Sequence, residues 1–195
     1  MKQIEVTTYV NHSLDEVHNI LTKQGFKIVR RTRIEDKYMT LSSDKLNKEN
    51  ILEILSKCVL IRYLCINKKN VLRMIIYKDK VYDGNIVISE EKTSVNIDNI
   101  EKAEQIFNCL GFKNIVNVNY DLIVYKKGEL EFGLQNVDDL GLMLEYENEA
   151  DFSNCTNEEV LLEKEKMLSE IRSYNLDVSD DYDVKKAFDI INKNL

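Results

Sequence analysis

Residues 142–148 read Leu-Met-Leu-Glu-Tyr-Glu-Asn. Alternation along a strand sets Glu145 and Glu147 on one face and Leu144 and Tyr146 on the other. Two carboxylates aimed at one spot belong either to a charge-bearing site or to the solvated face of a half-buried antiparallel strand. Other chemistry is sparse. His12 and His18 lack an HxxxH spacing, and Cys58, Cys65, Cys109 and Cys155 form no CxxC pair, so no zinc site is expected. The cysteines read as reduced thiols of a cytoplasmic protein, mostly buried as small hydrophobes.

Composition narrows the classes. A chain of 195 residues, 44% hydrophobic and 31% charged, has the make-up of a soluble globular protein with a proper core. The net charge of −7 and a single basic cluster, Arg30-Arg31-Thr32-Arg33, argue against nucleic acid, because neutralising phosphates takes clustered Lys and Arg. The ten tyrosines are dispersed and make no stacking platform for bases. Apolar runs such as 58–61 are far too short to span a bilayer, and MKQIEVTTYV has no apolar segment of a secretory signal. A cytoplasmic protein without a membrane role is expected.

The elements that must position Glu145 and Glu147 recur along the chain. Residues 2–10 alternate as a strand, and Ser13-Leu14-Asp15-Glu16 is a capping box opening a helix with Leu14, Val17 and Leu21 that stops at Gly25. An extended stretch from Gly25 to Tyr38 follows. Residues 90–97 again read as a strand, Ile100 to Leu110 as a helix ended by Gly111, and 111–125 as extended chain. Gly25-Phe26-Lys27 thus returns as Gly111-Phe112-Lys113, 86 residues on, with Tyr38 and Tyr125 87 apart and Glu5 opposite Glu91. Strands are predicted at 58–66, 70–78, 129–136 and 142–148, with a short helix over 48–57. A second capping box at Thr156 to Glu159 starts a helical tail whose last helix carries Val184, Ala187, Phe188 and Ile191. Residues 177–183 read as a solvated acidic loop. One domain over 1–195 is expected, with related halves of about 1–85 and 86–150 and a helical tail over 151–195.

With these motifs in this order, the chain resembles the CYTH superfamily, the triphosphate tunnel metalloenzymes that include class IV adenylate cyclases and thiamine triphosphatases. The likeness covers nearly the whole chain. LGFKNIVNV (110–118) is similar to the family's LGF segment, Leu134 to Gly141 to its leucine–aspartate…glycine–leucine–glycine turn, Glu145-x-Glu147 to its closing ExE, and Asp36-Lys37-Tyr38 to its D-x-Y. The resemblance implies an α+β fold: an antiparallel eight-stranded barrel, helices packed outside, and a tunnel that holds a triphosphate with basic side chains and a divalent metal with carboxylates. It implies Arg62 and Lys78 for the phosphates, and Glu5, Glu91, Glu145 and Glu147 for Mg²⁺ or Mn²⁺. The motif set is degenerate. Of ExExK only Glu5 remains beside Gln3 and Thr7, Leu64 stands for the second arginine of RxR, Gln135 replaces the aspartate of the turn, and a later basic pair lands on Tyr120 and Leu122.

The face of Lys78 continues through Ile76, Met74 and Leu72, and that of Arg62 includes Leu60 and Leu64. A tunnel poor in cations, with Arg62 and Lys78 as its certain ones, is therefore expected. Three readings stay open. One is a divergent metal-dependent triphosphatase or adenylate cyclase-like enzyme. The second is an inactive barrel that takes another ligand or a protein partner. The third is a structural role in which the carboxylates are solvated.

Overall fold

A computed structural model describes residues 3–41, 45–148 and 150–195; Lys2 of the expected first strand lies outside them. Eight strands form one antiparallel sheet: β1 (Ile4–Tyr9), β2 (Lys27–Thr40), β3 (Val59–Ile66), β4 (Asn70–Asp83), β5 (Ile86–Asn96), β6 (Lys113–Lys127), β7 (Leu130–Val137) and β8 (Gly141–Asn148). Their order, β1-β8-β7-β6-β2-β3-β4-β5, leaves β1 and β5 as the two edges. The sheet curls until those edges meet in a nearly closed barrel. Gln3 bridges Glu90 across the seam. The α+β barrel implied by the resemblance is the fold observed.

Among the described residues, five helices pack on this sheet: α1 (Leu14–Lys23), α2 (Ile51–Ser56), α3 (Ile100–Cys109), α4 (Asn157–Ser173) and α5 (Lys186–Lys193). Both capping boxes form. Ser13 N–H donates to Glu16 Oε2 at 2.8 Å and Thr156 N–H to Glu159 Oε2 at 2.8 Å, each satisfying a donor the first turn leaves open. Gly25 and Gly111, at φ +91 and +92, turn the chain out of α1 and α3 through the left-handed region that glycine enters freely.

Helices α1 and α4 cover the outer face of β1, β8, β7 and β6. Val17, Leu21, Met167 and Ile171 bury Val6, Tyr125, Phe132, Leu134 and Leu144 there; a fully buried side chain of this size contributes about 1.5–3 kcal/mol. Leu144 and Tyr146 belong to this outer core, which turns Glu145 and Glu147 inward. Helices α2 and α5 lie against the inner face, where Ile51, Leu55, Ala187 and Ile191 meet Ile34, Val118, Tyr120 and Met143.

The segment after α4 is not a free acidic loop. It runs along the open edge of β1, with Thr7 N–H donating to Tyr182 O at 3.1 Å, Val184 N–H to Thr7 O at 3.0 Å and Ser179 N–H to Tyr9 O at 3.0 Å. Asp183 then reaches β5, accepting from Val87 N–H at 2.9 Å. It is also held by Lys164 of α4 at 3.0 Å and by Lys185 at 2.7 Å. Lys164 is only 1% exposed, so its ammonium needs this partner. The seam is thereby filled by chain on one stretch and bridged directly on another. Among the described residues, no helix is long and apolar enough to cross a membrane.

Candidate functional site

Register builds the site. Antiparallel partners share a face, so the pairs Asp36–Arg62, Tyr38–Leu60, Lys78–Lys92 and Lys80–Glu90 line up along the inner wall. On the far side of the seam, Glu5 pairs with Glu147 and Thr7 with Glu145. A cavity of about 120 Å³ opens between these walls, and Glu5, Arg62, Lys78, Glu145 and Glu147 all line it. The sixth expected residue, Glu91, does not. It is exposed and pairs with Asp79 on the outer surface. Its neighbour Glu90 is the inward carboxylate, and a one-residue offset on a strand moves a side chain to the opposite face. β5 carries a register shift nearby, where Val81 pairs with Ser89 but Tyr82 with Val87.

The cavity is richer in cations than expected. Lys80 and Lys92 join Lys78 on the wall formed by β4 and β5, and Lys185 and Lys186 enter from the start of α5. Glu90 sits at the centre of the basic wall, with the Nζ atoms of Lys78, Lys80 and Lys92 each 3.1 Å from its carboxylate. Burial pushes this carboxyl up, but the three ammonium groups outweigh burial and hold it far below the usual range. Burial lowers the Lys78 ammonium, with Glu90 opposing. Arg62 donates through Nε and Nη2 to both oxygens of buried Asp36 at 2.6 Å each, a two-point geometry that fixes the guanidinium plane.

Lys186 donates to Gln135 Oε1 at 2.7 Å and to Glu145 Oε2 at 3.3 Å, and lies 4.7 Å from the centre of the Tyr120 ring. Tyr120 and Gln135 are two of the positions where the expected charges are missing, and a lysine from the C-terminal helix stands against both.

Opposite the basic wall, Glu5, Glu145 and Glu147 form a cluster in which one oxygen from each lies within 4.8 Å of the others. Burial and the neighbouring Glu145 raise the Glu147 carboxyl above its ordinary value, with Lys92 opposing. Glu145 feels burial too, yet Lys186 and a hydrogen bond with Gln135 bring it well below the usual range. Three carboxylates that repel one another, all hard oxygen donors, suit a cation such as Mg²⁺ or Mn²⁺.

The nearly closed eight-stranded antiparallel barrel, with charged side chains lining its interior, fits the CYTH fold. Known proteins are similar to this chain in sequence and in fold. A protein of Methanocaldococcus jannaschii named "Putative adenylate cyclase" is 27% identical over 191 residues, covering 96% of this chain and 97% of its own length. The PH1819 protein of Pyrococcus horikoshii superposes with a TM-score of 0.74 at 18% identity over 99% of both chains. A "Putative adenylyl cyclase" of Hippeastrum, described as having a dominant triphosphatase activity, superposes with a TM-score of 0.60 at 14% identity, over 100% of this chain and 96% of its own. No protein-family model matches the sequence.

Proposed function

We propose that this protein binds a triphosphate-containing small molecule together with Mg²⁺ or Mn²⁺ and hydrolyses it. The observation that carries the reading is one cavity with a wall of lysines and an arginine facing a cluster of three carboxylates. Each phosphate group brings about one to two negative charges. Lys78, Lys80, Lys92, Lys186 and Arg62 are the groups to receive them. Glu5, Glu145 and Glu147 are the ligands for the divalent ion; Glu91, on the outside, leaves the set and Glu90 serves the lysines instead. A divalent cation there supplies Lewis-acid polarisation of a phosphoryl oxygen and a template for the attacking water. The chain's own work is to hold the phosphates in line and to place ammonium groups where charge develops, which is where most enzymes gain the greater part of their rate.

The relatives' names point to triphosphate chemistry of two kinds. Hydrolysis asks only for the phosphate and cation groups already in the cavity, whereas cyclisation also asks for a held ribose hydroxyl, so hydrolysis is the simpler assignment. Binding without turnover is the second reading. It is favoured by the neutralised state of the cations, with Arg62 gripped by Asp36 and three lysines sharing Glu90. We place the protein in the cytoplasm, where its four unpaired cysteines match a reducing compartment.

Thermal shift and product assays separate these readings. Tripolyphosphate, ATP and thiamine triphosphate are each tested with Mg²⁺ or Mn²⁺. A ligand at a hundredfold excess over Kd adds about 2.7 kcal/mol of stability. Metal-dependent phosphate release together with a shift is the expected result, and a cyclic nucleotide in its place assigns cyclisation. A shift without product selects the binding module. No shift with any of the three removes the triphosphate reading.

A further inference from the structure

Lys92 stands where the basic and acidic walls touch. Its Nζ lies 3.1 Å from Glu90 Oε1, 3.6 Å from Glu147 Oε1 and 3.9 Å from Glu5 Oε2. The last two belong to the carboxylate cluster, so this ammonium is the counter-ion of Glu5 and Glu147, as Lys186 is of Glu145. A divalent cation among the same oxygens would repel an ammonium this close. Lys92 is free to leave. Its side chain is 36% exposed, it rides on a flexible four-carbon stem, and its other anchor, Glu90, keeps Lys78 and Lys80 at 3.1 Å. It would turn wholly to the basic wall, where it already stands directly across from Lys78 in the β4–β5 pairing.

The geometry points to Lys92 as a positioning residue that guards the carboxylate cluster and couples the two ligands, so that metal and triphosphate load together and neither binds well alone. The inference rests on the proposed function and adds to it the order of loading and the group that enforces it. In the empty barrel the ammonium occupies the electrostatic place of the metal. When a triphosphate enters, its oxygens offer Lys92 a better partner, the ammonium turns to them, and the carboxylates are released to a divalent cation. Such coupling is reciprocal: whatever factor triphosphate adds to metal affinity, metal adds to triphosphate affinity. Bare divalent ions bind weakly, and so does a triphosphate stripped of metal.

Calorimetric titration of Mn²⁺ into the full chain, with and without tripolyphosphate, tests this without reference to turnover. The parent should bind Mn²⁺ weakly alone, and tripolyphosphate should tighten that binding by a factor in the range of about 5 to 150 typical of coupled sites. Lys92→Met keeps the length of the side chain and removes the charge. It should bind Mn²⁺ alone about tenfold more tightly than the parent, with the gain from tripolyphosphate reduced to about threefold or less. Lys92→Arg retains the charge and should keep weak metal-only binding, which shows that the Met result reflects charge rather than a disturbed barrel. Unchanged Mn²⁺ affinity in Lys92→Met, with the coupling intact, overturns the role of Lys92 while leaving the site in place, provided Glu145→Gln still abolishes Mn²⁺ binding. Absence of Mn²⁺ binding in the parent, even with tripolyphosphate, overturns both this inference and the functional reading beneath it.

Discussion

Replacing Glu90 with glutamine should cost more stability than any other single charge removal on the basic wall. The carboxylate is 8% exposed and has three ammonium groups at 3.1 Å. At an effective dielectric constant of about 20, one unit pair at 4 Å is attracted by about 4 kcal/mol, and desolvation of the charges offsets much of that. Removing one partner of a buried pair costs about 3–5 kcal/mol, because the other charge is left behind. Here the lower end applies. Lys92, 36% exposed, can relax into water, and the Lys78 ammonium is already disfavoured by burial even with Glu90 present. A loss of about 3 kcal/mol lowers the melting temperature by roughly 6–12 °C in a chain of this size.

The pH dependence follows from the sign of the shift. Glu90 is held below its unfolded value, so its stabilisation is complete above the ordinary carboxylate value of about 4.3 and fades as pH falls through the folded one. Urea unfolding from pH 3 to 8 should therefore show a constant gap between parent and Glu90→Gln at neutral pH that narrows on acidification. Tripolyphosphate should restore more stability to the variant than to the parent, since it supplies the missing negative charge. A neutral-pH gap under about 1 kcal/mol would refute the reasoning, placing the three lysines in solvent-screened positions.

Glu145→Gln with Glu147→Gln should abolish any Mn²⁺-induced thermal shift. Glu147→Gln alone should leave metal-free stability within about half a kcal/mol, since this half-exposed carboxylate is screened by solvent. Because its folded proton affinity is raised, its ionisation subtracts stability as pH rises through that raised value, a slope that titration of the variant should lack. Lys164→Met should destabilise by about 1–3 kcal/mol in urea rather than more, because Asp183 keeps Lys185 and the Val87 N–H; a loss beyond 5 kcal/mol would mean that Lys164 alone holds the seam.

Alternation makes much of this legible. Glu145 and Glu147 separate from Leu144 and Tyr146 by period two alone, and the outer core confirms which pair is wrapped by helices. The signal falters at strand ends. The pattern predicts that β4 stops at residue 78, yet it runs to Asp83 and carries Lys80 and Tyr82 into the cavity on the face already established for Lys78. The cue lies in Gly84-Asn85: Asp83 pairs with Ile86 across this two-residue turn, with Gly84 at φ +57, a hairpin signature with glycine first. The same hairpin begins β5 at Ile86 rather than residue 90, and plain alternation along it sends Glu90 inward and Glu91 outward. Tyr38 and Tyr125 echo one another in sequence but not in place, since Tyr38 lines the cavity and Tyr125 packs outside near His18. Lys185 and Lys186 carry no strand pattern at all. Their position depends on α5 docking inside the barrel, a tertiary fact that periodicity does not encode.

The segment that seals the β1–β5 seam also dictates when the molecule becomes whole. β1 is the first described strand to leave the ribosome, and its edge partners, residues 177–184, follow only after all eight strands. Until they arrive, β1 presents unpaired backbone groups, the surface on which stray chains add strands, and the cavity lacks Lys185 and Lys186. A nascent chain stalled before residue 177 is therefore at once without a complete pocket and open to aggregation. The stretch that ends the second condition also ends the first.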